Sequence, residues 1–310
     1  MPVLDVALVR NTLAQANRAA INRANLIRDP VDLGNSLWIG RLDQDTTNAI
    51  VEACEPPGLN FSLNRAWGVM YTMFRTDPPA GQESRYQWDP DGRISLGIRM
   101  SRLVHPTTIG YEFTARVVDD GEPPRHVIAP SLIKGWGTRA YVVDTANNWL
   151  TIDHAAQVRR LLASYDHGQL PERVKSALFY FEYAALTYFI DLRWVAITTA
   201  CESLVHIDGE REPGNPKRYA RSTHVFVTRM SRLSNMVLGA PLPETDLIAM
   251  YRQRSALAHG QDFTGLTPEK RRLYCLQEDT VRAILRKAVL ERQFAELFQS
   301  DVSVQAAFPL

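Results

Sequence analysis

TDLIAMYRQRSALAHG, Thr245 to Gly260, reads as a single amphipathic helix with charged groups gathered at its end. Leu247, Ile248, Tyr251, Ser255 and Ala258 recur at helical spacing and predict one buried stripe, while Arg252, Arg254 and His259 fall away from its centre. Pro241, Pro243 and Thr245 mark the start and Gly260 the stop, which puts His259 in the last turn, at the negative end of the helix dipole. Arg254 and His259 are then offset by about 140° around the axis and roughly 7.5 Å along it, a poor geometry for a site within one chain. Arg252 lies nearly in line with His259, about 10 Å away.

Outward from this stretch, the chain after Asn147 and Asn148 consists of long amphipathic segments. They predict helices at about 153–166, 172–189, 192–206, 217–238, 245–259 and 267–298. Between the third and fourth of these, HIDGEREPGNPKR (His206 to Arg218) has too many Gly and Pro to be regular. The apolar face of RVKSALFYFEYAALTYF is broad enough to predict burial on most sides, and Asp191 is placed to cap the helix that follows. Glu202 stands among apolar neighbours in that helix, so an arginine from an adjacent helix is its expected partner.

Before Asn147 the texture differs. Residues 3–28 have roughly helical apolar spacing and predict a leading helix. From Leu37 to about Ile128, short aromatic and β-branched runs alternate with Pro, Gly and Asp clusters. Trp67 to Phe74, Ile94 to Met100 and Tyr111 to Val118 read as strands, DPPAGQ, DPDG and DDGEPP as turns, and Asp45 to Cys54 as a short helix. The expected fold class is α+β: a mixed or mostly β amino-terminal domain over 1–150 and an all-α bundle over 151–310.

Composition narrows the functional classes. A chain of 310 residues, 45% hydrophobic, can bury two cores. The formal net charge of +1 provides no global field toward nucleic acid or membrane, so any polyanion site must be local. The strongest local candidate is Arg211 to Arg232, with six Lys and Arg against Glu212 alone. Lys217, Arg218 and Arg221 are the residues expected to meet an RNA backbone, with Tyr219 and Phe226 available for stacking if exposed. The alternative is a solvated helix face over buried aromatics. Cys54, Cys201 and Cys275 are widely separated and fit neither a disulfide framework nor a zinc signature, which suggests a reducing compartment. No secretory leader pattern and no membrane-spanning apolar run is evident, and the expectation is a soluble, cytoplasmic protein. His105, His126, His154 and His206 have no metal-ligand spacing, and no Gly-rich phosphate loop follows a strand, so neither metal nor cofactor is expected.

An arginine followed at short spacing by a histidine suits phosphodiester chemistry, because a cation stabilises the charged transition state while an imidazole moves a proton. Spacing alone selects poorly: Arg99/His105, Arg160/His167 and Arg218/His224 reproduce it. Context separates Arg254/His259 from these. YRQRSALAHG, preceded by the helix containing ITTACESLV and followed by a long terminal helix, resembles the Apea-like branch of the HEPN superfamily over about residues 150–298. IGRLDQDTTNAIVEA and LGIRMSRLVHP are similar to amino-terminal regions that accompany such domains.

The resemblance implies a metal-independent endoribonuclease, in a defence or toxin context, that works as a homodimer with the helices bearing the Arg and His facing each other. Arg254 and His259 match the family's Arg, four to six residues, His signature, with Arg252 as a second phosphate contact and Glu202 positioning the arginine. Many members carry Asn, Asp or His after the arginine, where this chain has Ser255. A reaction that uses the 2′-hydroxyl would leave DNA uncut, and with no apolar run long enough to span a bilayer no membrane partner is expected. Two structural readings stand beside it. A histidine before a capping glycine can cap helix carbonyls, and an arginine two turns back can simply pair with Glu202. The corresponding function is a non-catalytic module that binds RNA, a nucleotide or a protein.

Overall fold

The computed structural model describes residues 3–10, 27, 29–54, 71–76, 92–107, 109–118, 126–132, 150–260 and 265–310. The chain forms two compact units, Met1–Ala163 and Ser164–Leu310, and is α+β: an antiparallel sheet lies in the first and helices dominate the second.

The first unit is built on a six-stranded sheet in the order β2-β3-β4-β1-β5-β6, every pairing antiparallel. The strands are β1 (Val3–Arg10), β2 (Val31–Gly34), β3 (Leu37–Gly40), β4 (Tyr71–Thr76), β5 (Gly110–Val118) and β6 (His126–Leu132). The leading helix read from residues 3–28 is corrected at its start. Val3–Arg10 is an interior strand, with Val6 paired to Phe74 on one side and Ala115 on the other. Its β-branched residues at 3, 6 and 9 suit a strand paired on both edges better than a helix. Of residues 11–28 only Ile27, which is buried, is described.

The second correction is Ile94 to Met100, which lies not in a strand but within helix α2 (Arg93–Val104). Ile94, Gly97, Ile98, Ser101 and Arg102 are buried at intervals of three and four, a helical stripe that the short apolar window concealed. A methyl group on Gly97 would come within 2.8 Å of both Leu37 Cδ2 and Met73 Sδ, so glycine lets this helix lie close on β3 and β4. The expected short helix at 45–54 is present as α1 (Gln44–Cys54), and the strand expected at 111–118 is β5. DPPAGQ, DDGEPP and all of DPDG except Gly92 lie outside the described residues.

Helix α3 (Ile152–His167) runs through the boundary between the units. The second unit then comprises α4 (Glu172–Leu186), α5 (Ile190–Val205), a hairpin of β7 (Arg211–Glu212) and β8 (Asn215–Tyr219), α6 (Ser222–Leu238), α7 (Glu244–Ala258), α8 (Pro268–Leu290), α9 (Arg292–Glu296) and α10 (Asp301–Ala307). Helix α5 packs against α4, α6, α7 and α8, which accounts for its nine buried positions. Trp194 on α5 is fully buried against Tyr274 of α8 and donates from Nε1 to the Met250 carbonyl of α7 at 3.3 Å.

Several boundaries differ from expectation. Phe189 caps α5 and Asp191 falls inside its first turn. The long terminal helix breaks at Glu291, whose extended backbone separates α8 from α9. The loop at 206–218 contains the β7–β8 hairpin, so the carboxy-terminal unit is not wholly helical. Helix α4 is not buried on most sides: Phe179 and Tyr183 are 61% and 49% exposed and stack on one another on its open face.

Candidate functional site

Helix α7 presents the residues singled out in the sequence. Leu247, Met250 and Tyr251 are its buried positions, whereas Ser255 is half-buried and Ala258 is exposed. The expected stripe therefore holds only through the first half of the helix, and the last turn stands out from the core. Ala258 ends the helix and His259 is its C-cap, with its N–H donating to the Ser255 carbonyl at 3.1 Å. Gly260 follows at φ +78°, a left-handed conformation that glycine adopts freely, and this stops the helix where the sequence predicts.

The three groups have different surroundings. Arg254 donates from Nη2 to Glu202 Oε2 at 2.8 Å, with the two side chains 28% and 17% exposed, so the arginine expected opposite Glu202 is Arg254 itself. Its guanidinium lies 5.9 Å from the Tyr251 ring, and its Nε is buried without a hydrogen-bond partner. Arg252 and His259 are exposed, and neither side chain pairs with any described residue. One cation is thus held at the helix surface, while a second cation and an imidazole have no partner among the described residues.

Tyr251 is a functional neighbour that sequence reading treated only as an apolar position. Burial, with the nearby Glu202 carboxylate adding to it, raises the pKa of its hydroxyl, and Ser222, the first residue of α6, lies close enough to oppose that shift. Tyr251 thus lies near Ser222, Glu202 and Arg254, and among these groups Arg254 and Glu202 form the ion pair. The signal was available in principle, since a tyrosine in a core stripe usually directs its hydroxyl to a polar partner. Cys201, beside Glu202 in sequence, is fully buried, and burial pushes its thiol up to about 12, so it is not a thiolate at neutral pH.

The basic run divides in two. Arg229 is fully buried and donates to the carbonyls of Phe308 and Val205 at 2.8 Å each and to Glu210 at 2.5 Å. Arg232 donates to the Pro309 carbonyl, so both arginines belong to the scaffold. Phe226 is also buried, packed on Tyr251, and offers no stacking face. Lys217, Arg218, Arg221 and Tyr219 are exposed, with Arg218 Nε 3.3 Å from Glu212.

Among the described residues no group of three His, Cys, Asp or Glu side chains could hold a metal ion, and no helix is long and apolar enough to cross a membrane. Comparison with family models, curated proteins and solved structures returns no match.

Proposed function

We propose that the helical unit is a HEPN-type endoribonuclease that cleaves RNA without a metal ion. The observation that carries this reading is the end of α7, where Arg254 is anchored by Glu202 while His259 and Arg252 are exposed with no partner among the described residues.

In the proposed reaction the 2′-oxygen of the RNA attacks the adjacent phosphorus and the bond from phosphorus to the 5′-oxygen breaks. The proton leaves the 2′-hydroxyl and one is delivered to the departing 5′-oxygen, giving a 2′,3′-cyclic phosphate and a 5′-hydroxyl. His259 serves in proton transfer, and Arg254 stabilises the charge gathering on the phosphoryl oxygens. Arg252 contacts a neighbouring phosphate. Ser255 stands next to Arg254 and supplies the carbonyl that fixes the His259 backbone. The 140° offset between Arg254 and His259 supports a homodimer in which α7 of each copy lines one cleft, since a two-fold axis beside the helix brings both sets together.

Purified protein incubated with labelled RNA in EDTA tests the reading. Wild type is expected to cut, and His259→Ala and Arg254→Ala are each expected to lose at least about a hundredfold in rate, the typical worth of one such group. Equal cleavage by all three forms would assign the activity elsewhere. The second reading, a binding module without chemistry, is favoured by the Arg254–Glu202 ion pair, which gives Arg254 a partner within the fold. It predicts RNA retention with no cleavage by any form.

A further inference from the structure

The β7–β8 hairpin carries a feature that the helix-end site does not use. Arg211 and Tyr219 are direct cross-strand partners, so their side chains share one face of the ribbon. The Arg211 guanidinium sits 3.5 Å from the centre of the Tyr219 ring, close enough for flat stacking, and Tyr219 is nevertheless 60% exposed. The turn between the strands is Pro213-Gly214, with Gly214 at φ +77°, the sequence and conformation of a tight Pro-Gly turn. The result is a planar cation on an aromatic ring, displayed on a short ribbon at the surface.

Charge around this pair is more one-sided than the sequence suggests. Glu210 is taken up by buried Arg229, and Glu212 by Arg218. Arg211, Lys217 and Arg221 remain exposed, with Asp208 as the nearby exposed acid. The hairpin also leads straight to the candidate site. Tyr219 is three residues before Ser222, so their Cα atoms are within about 11 Å, and Ser222 lies near Tyr251, which in turn lies near Glu202, the partner of Arg254.

We infer that this hairpin is a platform for single-stranded RNA: an unpaired base stacks on the Arg211–Tyr219 pair while Lys217 and Arg221 hold phosphates, feeding the strand toward the end of α7. A stacking face rather than a groove-shaped surface selects unpaired bases, because a base within a duplex already has both faces covered. The inference takes its ligand class from the ribonuclease reading but does not require cleavage.

The test measures binding of a fluorescent, unstructured oligouridine by the full chain carrying His259→Ala, which keeps the RNA intact. Adding Tyr219→Ala is expected to weaken binding about tenfold, within the range for one lost stacked base, and Tyr219→Phe is expected to bind as the parent does. Lys217→Ala and Arg221→Ala should each lower the slope of log K against log salt by about 0.7, whereas Tyr219→Ala should leave the slope unchanged. A duplex of the same length should bind more weakly than the single strand. Equal binding by the Tyr219→Ala and parent forms, tighter binding of duplex, or no RNA binding at all overturns the inference. The ribonuclease reading fails separately: Tyr219-dependent binding by a wild type that never cuts RNA removes the catalysis and leaves the platform.

Discussion

Glu202 shows how one residue joins stability to the proposed chemistry. It holds Arg254 at 2.8 Å, so the arginine is oriented before any phosphate arrives. Glu202→Gln keeps the shape and removes the charge. It is expected to lower stability by about 1 kcal/mol, a modest value because both side chains keep some solvent contact. If Arg254 is used in catalysis, kcat should fall while RNA affinity changes little, and rates at saturating and limiting RNA separate the two effects. An unchanged kcat in a folded Glu202→Gln protein would make the pair purely structural. The need of Glu202 for an arginine was legible, because an isolated acid on an apolar helix must be neutralised. Arg254 was already a candidate partner, but only the fold could select it among the chain's 35 Lys and Arg, since sequence spacing says nothing about neighbours on different helices.

At the scale of elements, the longer helices of the second unit, α4 to α8, were legible because each is long enough to repeat its period, whereas the short α9 and α10 were not. The Ser222–Leu238 and Pro268–Leu290 segments show several turns of it. Val3–Arg10 and Arg93–Val104 were misread in opposite directions, as both are short and their apolar residues satisfy either period. Gly97 gives the second of these a test. Gly97→Ala would raise intrinsic helix propensity, yet its methyl would press on Leu37 and Met73 at 2.8 Å, and overpacking should prevail by about 1 kcal/mol. Thermal unfolding reads the sign, and a more stable Gly97→Ala protein would mean that the contact yields freely. Helix α7 is tied to α8 by Arg272, which donates to both Asp246 oxygens at 2.9 and 2.8 Å. That pair holds the Asp246 carboxyl below its ordinary 3.8. The folded form thus binds a proton less readily than the unfolded form. The stabilising contribution is complete above about pH 4 and fades as the pH falls through the folded value. Asp246→Asn should therefore cost under about 1 kcal/mol at neutral pH, for a half-exposed Arg272, and nothing once the carboxyl is protonated. An equal penalty for Asp246→Asn at pH 7 and at the acid limit would point to a role other than the ion pair.

Across the whole molecule, Arg229 fastens three parts of the second unit: the end of α5 at Val205, the hairpin approach at Glu210, and Phe308 beyond α10. Arg229→Met is expected to cost about 3–5 kcal/mol, because it strands a nearly buried Glu210 and two carbonyls. Chemical denaturation measures the loss, and one below 1 kcal/mol would show that the knot relaxes. Sequence reading placed Arg229 in a surface run, since charge counted along a chain carries no information about burial. What it did read was the anchored arginine, the histidine at the helix end and the glycine that stops it. The proposed dimer predicts twice the chain mass in solution, and a stable monomer that cuts RNA would exclude a shared cleft. The central claim is that the end of α7 cleaves RNA through the substrate's own 2′-oxygen. It is tested most directly by following one labelled RNA in EDTA, with and without a 2′-O-methyl group at the scissile nucleotide, using wild type and His259→Ala side by side. The account predicts cleavage by wild type of the unmodified RNA alone, ending in a 2′,3′-cyclic phosphate. Cleavage of the methylated RNA, or undiminished cleavage by His259→Ala, would contradict it.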